Sequence, residues 1–281
     1  MSDTPDAPDA QALMRQRRRL AAGERPWIHA EAARRLAERL AWIKVPVRTA
    51  LQWSPPGTQA LTELPRAQWR QVGAPPQRGL GRWLGGTPSV APEATAGAEA
   101  DLVWSVLDLP WVAEPRTLLA AWRAALQPQG FVMFATLGPG SFAPLREIYA
   151  AHGWGPPHAA LTDMHDWGDR LVETGFEGPV MDQETLTLTY ASPEALLADW
   201  RASGLNAAQG RFAGLRTPRW RQRLLAALAE LRGADGRIAM PWELVYGHAF
   251  RGTDRGPAVA AETRIDAATM KSLLRRGRDR G

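Results

Sequence analysis

The sequence predicts an α/β fold built on a doubly wound, mostly parallel sheet. The main observation is an apolar run of strand length at 101–106, followed by an amphipathic helical pattern at 116–126 and a second apolar run at 131–136. Two buried strands joined through a helix form a right-handed parallel unit. Gln127-Pro128-Gln129-Gly130 carries the breakers expected of the turn that leads out of the helix.

The first hundred residues predict the outer part of this sheet. An amphipathic helix begins at Trp27 and ends before Pro46, and a buried strand follows at 47–53. Proline and glycine recur between 58 and 100, where the second and third strands of such a sheet should lie. Those two strands are therefore expected to be short.

The remaining elements complete one large domain between two tails. We expect helices at 142–152, 163–174, 193–203 and 219–231, and strands at 185–190 and 242–250. The expected organisation is a disordered tail (1–22), a main domain (23–252) with a helical lid (191–236) before the last strand, and a basic tail (253–281).

The composition excludes several classes of function. The chain has no cysteine, and none of its five histidines are spaced as a helical metal pair, so no metal site is expected. No run is long and apolar enough to span a membrane, and the N-terminus lacks a signal-like segment. We therefore expect a cytoplasmic protein, with a nucleic-acid role for its basic tails disfavoured and no prediction of oligomeric state.

Several motifs together resemble one family. Asp101-Leu102-Val103 with Ser105, Leu107 and Trp111, then Thr136-Leu137-Gly138 and Leu145-Arg146, resemble the malonyl-acyl-carrier-protein O-methyltransferases of biotin synthesis. Pro157-His158, residues 164–171 and 243–249 extend the resemblance, which also includes a group that assists respiratory complex I assembly. It implies a class I methyltransferase fold, related to the Rossmann fold, that uses S-adenosylmethionine.

The cofactor-binding motif departs from that family. The family's first motif is a glycine-rich turn after the first strand, and here it is replaced by Gln52-Trp53-Ser54-Pro55-Pro56-Gly57. Proline lacks the N–H that such a turn offers to its ligand. The resemblance implies that cofactor contacts fall on the following residues: Gln52, Ser54, Gly57, Ser105 and Leu107. Residues 66–80 also lack the acid that holds the ribose hydroxyls.

The acceptor side is assigned through the same resemblance. Trp111 is a candidate wall of the methyl-transfer site, with a core tryptophan as the alternative. Arg146 is a candidate catalytic and substrate-binding residue that would pair with the malonyl carboxylate, with a solvated arginine as the alternative. His158 is a second candidate substrate-binding residue, unless it only orders a loop. Arginines 211–223 could dock an acidic acyl carrier protein, or could simply form a solvated face.

Two functions follow from these observations. The first is S-adenosylmethionine-dependent methylation of the malonyl carboxylate on acyl carrier protein. The alternative is a catalytically inactive scaffold or binding protein, serving as a carrier-protein partner or a respiratory complex assembly factor. Tryptophans occupying the space beside Ser54 and Ser105 would favour this alternative.

Overall fold

The structure is a computed structural model. It describes residues 8–9, 11–13, 15, 26–53, 64–72, 89–90, 95, 97, 99–203, 206–212 and 214–252. At 89–90 and at Trp111 the description covers the backbone and not the side chain.

The described residues form a seven-stranded, mostly parallel sheet with the order β3-β2-β1-β4-β5-β7-β6. Strand β7 runs antiparallel to both of its neighbours. The strands are β1 Thr49–Gln52, β2 Gln68–Val72, β3 Ser89–Val90, β4 Ala100–Val106, β5 Leu126–Leu137, β6 Phe176–Tyr190 and β7 Ile238–Arg251. The predicted fold class is confirmed, with β2 and β3 short as expected.

Helices cover both faces of this sheet. They are α1 Trp27–Leu40, α2 Pro115–Ala125, α3 Ala143–Ala151, α4 Met164–Glu173, α5 Pro193–Ala202 and α6 Pro218–Ala229. Helices α5 and α6 lie between β6 and β7, and each begins at a proline preceded by a capping hydroxyl. Ser192 accepts from the N–H of Ala195, and Thr217 accepts from that of Trp220.

Alternate residues of the buried strands divide the core between the two faces. One cluster includes Trp104 of β4 and packs against α1, α3, α5 and α6. The other includes Val103 and packs against α2 and α4. The Asp101 carboxylate accepts from the N–H groups of Arg48 and Thr49, both at 2.8 Å. It therefore ties the start of β1 to β4.

The exit turn predicted at 127–130 is instead an irregular part of β5. Leu126 pairs with Ala100 of β4 and Phe131 pairs with Leu102, so residues 127–130 bulge from the ladder. A side chain at Gly130 would meet the Ala100 carbonyl oxygen at 2.8 Å. Glycine is required there because the two strands approach closely.

Strand β6 is much longer than the 185–190 predicted from alternation. It pairs with β7 from Phe176 to Tyr190, with a register shift between Glu177 and Val180. Gly178 and Pro179 lie within that shift, and Gly178 has a φ of +56°. These two residues obscured the strand because they usually mark a turn.

Part of the expected N-terminal tail packs against the lid. Pro8 forms an antiparallel bridge with Ala208, and the N–H of Asp9 donates to the Ala207 carbonyl at 2.7 Å. Ala12 and Leu13 are buried in the core. A disordered tail is therefore the wrong description of these residues, since they bury apolar surface and pair their backbone. The tail expected after residue 252 lies outside the described residues.

Within the described part of the chain, no helix combines the length and apolar character needed to cross a membrane.

Candidate functional site

The carboxyl ends of β1 and β4 meet where ligands bind in open α/β sheets. Gln52 is fully buried at the end of β1. Its backbone oxygen accepts a long 3.5 Å contact from Nε2 of Gln71, at the end of β2. The N–H of Trp53 donates to the Trp104 carbonyl at 2.8 Å, so pairing with β4 continues past the strand end. Ser54 and Gly57, two of the predicted cofactor residues, lie outside the described residues.

The end of β4 carries the other two predicted cofactor residues. Ser105 is fully buried, and its hydroxyl has no hydrogen-bond partner among the described residues. Leu107 follows the strand with a φ of +53°, a conformation that a branched side chain adopts at a cost, and its N–H donates to the Ala135 carbonyl at 2.8 Å. Strained backbone and an unsatisfied buried hydroxyl are features that cluster at ligand sites.

Tryptophans fill the sheet face on the side of Ser105. Ser105 and Val103 point to the same side of β4, and the cluster that holds Val103 also holds Trp53 and Trp122. These two rings meet edge to face with centroids 6.4 Å apart. On the opposite face, Trp104 packs against Trp69 in the same way. Tryptophan packing thus comes up to the strand ends at which a cofactor would bind.

The described residues at this edge do not match the usual binding mode of S-adenosylmethionine in this fold. That mode needs a carboxylate at the end of the second strand for the ribose hydroxyls, and residues 64–72 contain no Asp or Glu. At the end of β1 a neutral glutamine stands in place of the family's acid. The Ser105 hydroxyl is available, but one hydroxyl does not replace those carboxylates.

A cavity of about 430 Å³ brings together the two predicted substrate residues, Arg146 and His158. Arg146 projects from α3, and its Nη1 donates to the Ser141 carbonyl at 2.5 Å. His158 is buried, with Nδ1 2.7 Å from the Ala159 carbonyl oxygen. Because a carbonyl only accepts, Nδ1 carries a proton. The loop histidine and the helix arginine therefore share one site.

A second cavity of about 260 Å³ adjoins the first through Ala160 and Leu161, which line both. It lies at the carboxyl end of β5, where Thr136 and Leu137 contribute to its wall. Arg170 of α4 also lines it. The two cavities therefore carry one arginine each.

Sequence reasoning missed Arg170, which it treated only as part of a helix. Its guanidinium lies 4.9 Å from the Trp167 ring, and its Nη1 donates to Thr162 Oγ1 at 3.1 Å. The signal in the sequence was a cation three residues after a tryptophan on one predicted helix, a spacing that brings side chains together.

Trp111 lies in a short 3₁₀ helix, Leu109–Trp111, that follows β4. Its neighbours Leu109, Pro110 and Val112 line the second cavity. The segment is therefore at the carboxyl edge, while the position of the Trp111 ring lies outside the description. Its role as a wall of the site stays a prediction.

The basic residues of the lid divide into two groups. Arg211 pairs with Asp9 at 2.9 Å, and Arg216 donates to the Trp154 carbonyl at 2.6 Å and stacks on the Trp220 ring at 4.5 Å. Burial lowers the pKa of Arg216. Three further lid arginines are exposed in the first half of α6: Arg219, Arg221 and Arg223.

The sheet order, its antiparallel β7 and the position of the lid define a class I methyltransferase fold. A solved structure from Bacillus halodurans C-125, provisionally named a methyltransferase, superposes with a TM-score of 0.50 over 78% of this chain and 99% of that chain, at 11% identity. At this identity the likeness concerns the fold alone. No family model matches the chain.

Curated relatives are malonyl-[acyl-carrier protein] O-methyltransferases. The chain is 41% identical to that of Laribacter hongkongensis over 172 residues, which is 61% of this chain and 56% of the relative. It is 38% identical to that of Halorhodospira halophila over 179 residues, covering 62% and 61%. The resemblance predicted from the motifs is confirmed, and the match spans about three fifths of these relatives.

Proposed function

We propose that this chain recognises the malonyl group of malonyl-acyl-carrier protein and acts in methylation of its free carboxylate, in cytoplasmic biotin synthesis. The observation that carries the proposal is the pair of adjoining cavities with Arg146 in one and Arg170 in the other. The names of the curated relatives support the same substrate.

Methylation of the malonyl carboxylate depends on positioning of the substrate more than on proton transfer. A malonyl carboxylate is already ionised near neutral pH, since carboxyl groups have a pKa of about 4. An arginine can hold one carboxylate oxygen and leave the other free to react. The apolar walls shared by the cavities, Ala160 and Leu161, would keep water from the ion pair and so strengthen it.

The exposed arginines of α6 suit the proposed protein partner. Acyl carrier proteins are acidic, and complementary charge raises the rate of association. Arg219, Arg221 and Arg223 are all exposed near the start of this helix. Arg211 and Arg216 are held by hydrogen bonds within the chain, whereas Arg223 only approaches the Trp154 ring at 5.6 Å, so the docking charge is assigned to Arg219, Arg221 and Arg223.

A second candidate is a carrier-protein binder that transfers no methyl group. It is favoured by the neutral, tryptophan-rich cofactor edge, where Gln52 and Trp53 follow β1 and residues 64–72 offer no acid. Two or three missing hydrogen bonds of about 1–3 kcal/mol each would weaken cofactor binding by orders of magnitude.

One set of titrations on the full chain separates these candidates. Calorimetry with malonyl- and acetyl-acyl-carrier protein is expected to show about tenfold or greater preference for malonyl, the value of a charge-assisted contact. A methyl-ester mass gain with S-adenosylmethionine would establish the first candidate. Malonyl preference without cofactor binding or mass gain would establish the second. Equal binding of the two acyl forms would contradict recognition of the malonyl group, and binding of neither form would contradict both candidates.

A further inference from the structure

The motif at 243–249 begins with a glutamate that has no role in the function proposed above. Glu243 lies within β7 and is partly buried. Its Oε2 accepts a hydrogen bond from the N–H of Gly140 at 2.6 Å. A hydrogen bond from a backbone N–H to a carboxylate is about twice as strong as one between neutral groups. This contact therefore ties the chain at Gly140 to β7.

Residues 138–141 form the turn that joins β5 to α3, and Glu243 holds this turn with its backbone as well as its side chain. The N–H of Gly138 donates to the Glu243 carbonyl at 3.0 Å. The Ser141 hydroxyl accepts from the Glu243 N–H at 2.9 Å and donates to the Glu243 carbonyl at 3.1 Å. Ser141 is fully buried. The turn is thus attached to β7 at both of its ends.

The two glycines of the turn allow the glutamate to approach this closely. A Cβ at Gly140 would lie 3.0 Å from Glu243 Oε2, and a Cβ at Gly138 would clash with the same oxygen. Phe142, which follows the turn, has a φ of +57°, a conformation that a residue with a side chain adopts at a cost. Strained backbone of this kind persists only where surrounding contacts fix it, and the contacts to Glu243 supply that here.

Arg146 is bonded to this turn as well as to its own helix. Its Nη1 donates to the Ser141 carbonyl at 2.5 Å, and its backbone N–H donates to the Phe142 carbonyl at 3.1 Å. Pro139, in the middle of the turn, lines the same cavity as Arg146. A displacement of the turn would therefore move both a wall of this cavity and the cation to which the proposed function assigns the malonyl carboxylate.

We propose that Glu243 is a positioning residue for malonyl recognition. It fixes the turn at 138–141, and the Ser141 carbonyl of that turn orients the Arg146 guanidinium for the malonyl carboxylate. This inference rests on the proposed function, in which Arg146 binds that carboxylate. A second carboxylate would repel the malonyl group, so Glu243 acts through the turn and does not itself contact the substrate.

Two substitutions of Glu243 in the full chain separate positioning from a purely structural role. Glu243→Ala loses the acceptor for the Gly140 N–H, whereas Glu243→Gln keeps an acceptor oxygen without the charge. We expect the preference for malonyl- over acetyl-acyl-carrier protein, measured by calorimetry, to fall about three- to tenfold in Glu243→Ala, the cost of ordering one long side chain on binding. Glu243→Gln should recover most of that preference. A purely structural role would lower the stability of the protein and leave the preference unchanged.

The matched control is Glu147→Ala, which removes the same charge from the exposed side of α3, next to Arg146 in the chain. It should keep the malonyl preference, because Glu147 is not bonded to the turn. A second variant covers the case in which Glu243→Ala does not fold. Ser141→Ala removes the hydroxyl that bonds to the Glu243 backbone and should lower the malonyl preference in the same direction.

Combining Glu243→Ala with Arg146→Ala tests the route through the arginine. If Glu243 acts only by orienting Arg146, its substitution should cause no further loss of malonyl preference once Arg146 is absent. A further loss in the double variant would overturn the proposal. An unchanged preference in both Glu243→Ala and Ser141→Ala would also overturn it.

A second measurement needs no substrate. Phenylglyoxal modifies arginine side chains, and peptide mapping by mass spectrometry gives the rate at each one. Glu243→Ala should speed modification of Arg146 about threefold or more relative to the exposed Arg116, because the side chain is no longer held in place. An unchanged ratio of the two rates would contradict positioning. If the unmodified chain shows no malonyl preference, the proposed function fails, and this ratio alone decides whether Glu243 positions Arg146.

Discussion

Arg146 illustrates how a single contact prepares a charged side chain. Its guanidinium is partly buried, and a 2.5 Å hydrogen bond to the Ser141 carbonyl fixes one of its nitrogens. Arg146 also lines the cavity that contains His158. Because the guanidinium is already oriented, less side-chain entropy is lost when a carboxylate binds.

We predict that Arg146→Ala weakens binding of malonyl-acyl-carrier protein by about 10–100-fold, the value of a charge-assisted hydrogen bond. Binding of the acetyl form, which has no carboxylate, should change little. Arg146→Lys should recover only part of the loss, because an ammonium supplies the charge but not the planar donors that the Ser141 contact orients. Calorimetry on both carrier proteins measures this, with the exposed Arg116→Ala as control. An equal loss for the acetyl form would show that Arg146 does not read the carboxylate.

Arg170 allows a complementary residue-scale experiment. Its stacking on Trp167 and its bond to Thr162 hold it at the second cavity. If both arginines contact one ligand, the losses in Arg146→Ala and Arg170→Ala should not add in the double variant. We expect a coupling of about 0.5–3 kcal/mol in malonyl binding. If the two losses of binding free energy add exactly, the two arginines do not contact the same ligand.

At the scale of elements, α1 is fastened to the edge strand β6 by ion pairs. Arg35 pairs with Glu184 and Arg39 pairs with Asp182, and the Arg39 guanidinium also lies 3.7 Å from the centre of the Tyr246 ring. Glu31 supports this arrangement from within the helix by pairing with Arg34 and Arg35. The hydrogen bond from Arg34, aided by that from Arg35, lowers the pKa of Glu31 to about 2.

This depressed pKa predicts a pH dependence of stability. Because the folded pKa is below the ordinary value of 4.5, the stabilisation is complete above pH 4.5 and is lost as the pH falls toward about 2. Glu31→Gln should lower the free energy of unfolding by about 1 kcal/mol at pH 7, after allowing for partial exposure. The difference from the unmodified protein should shrink below pH 4.5 in urea unfolding. A deficit that persists unchanged at pH 2.5 would contradict the electrostatic origin.

The N-terminal segment and the lid are joined by a separate ion pair. Asp9 bonds to Arg211 and also accepts from the N–H of Ala12, and these bonds lower its pKa, the Ala12 bond most strongly. The two side chains are 30% and 18% exposed, so the pair is better shielded than most surface pairs.

We predict a coupling energy of about 0.5–1 kcal/mol between Asp9→Ala and Arg211→Ala in a double-mutant cycle of unfolding. Either variant should also speed amide exchange at Ala208 and its neighbours. The exposed pair Arg116–Glu173, with side chains 73% and 51% exposed, should couple less and serves as the control. No coupling at Asp9–Arg211 would mean that the apolar burial of Ala12 and Leu13 alone holds the segment.

At the scale of the whole molecule, the proposed function places opposite charges on the two partners. The chain has a net charge of +5, and the exposed arginines of α6 concentrate part of it on the lid. Charge steers encounter at low salt and is screened within about 10 Å at 0.1 M ionic strength.

Replacing Arg219, Arg221 and Arg223 with alanine should therefore slow association with malonyl-acyl-carrier protein about tenfold or more at low salt. The salt dependence of the association rate should flatten in the same variant. Stopped-flow fluorescence measures both effects. Alanine at three exposed arginines elsewhere, Arg48, Arg66 and Arg116, gives a control of equal net charge. If the two triple variants have the same association rate and salt dependence, the net charge of the chain, and not the charge on the lid, guides the encounter.

Much of the fold followed from the sequence because its signal is local. The strand and helix pattern of 101–136 depends on continuous apolar runs and on helical spacing between nearby residues, and the sheet at its centre has the predicted form. The predicted strand boundaries were wrong where glycine or proline, which usually mark turns, lie inside a strand. Gly130 allows a close strand contact, and Gly178 with Pro179 lies inside a strand, yet both patterns resemble turns.

The sequence by itself determined the class of fold, the resemblance to malonyl-acyl-carrier-protein methyltransferases and the loss of the glycine-rich cofactor motif, because each is written in adjacent residues. Only the tertiary structure decided that Arg146, His158 and Arg170 line adjoining cavities, that Pro8, Asp9, Ala12 and Leu13 pack against the lid and the core, and that an apolar cavity lies between α1 and the face of β5, β7 and β6. These features depend on contacts between residues distant in the chain. Their geometry is set by how helices pack on the sheet, which local patterns do not specify.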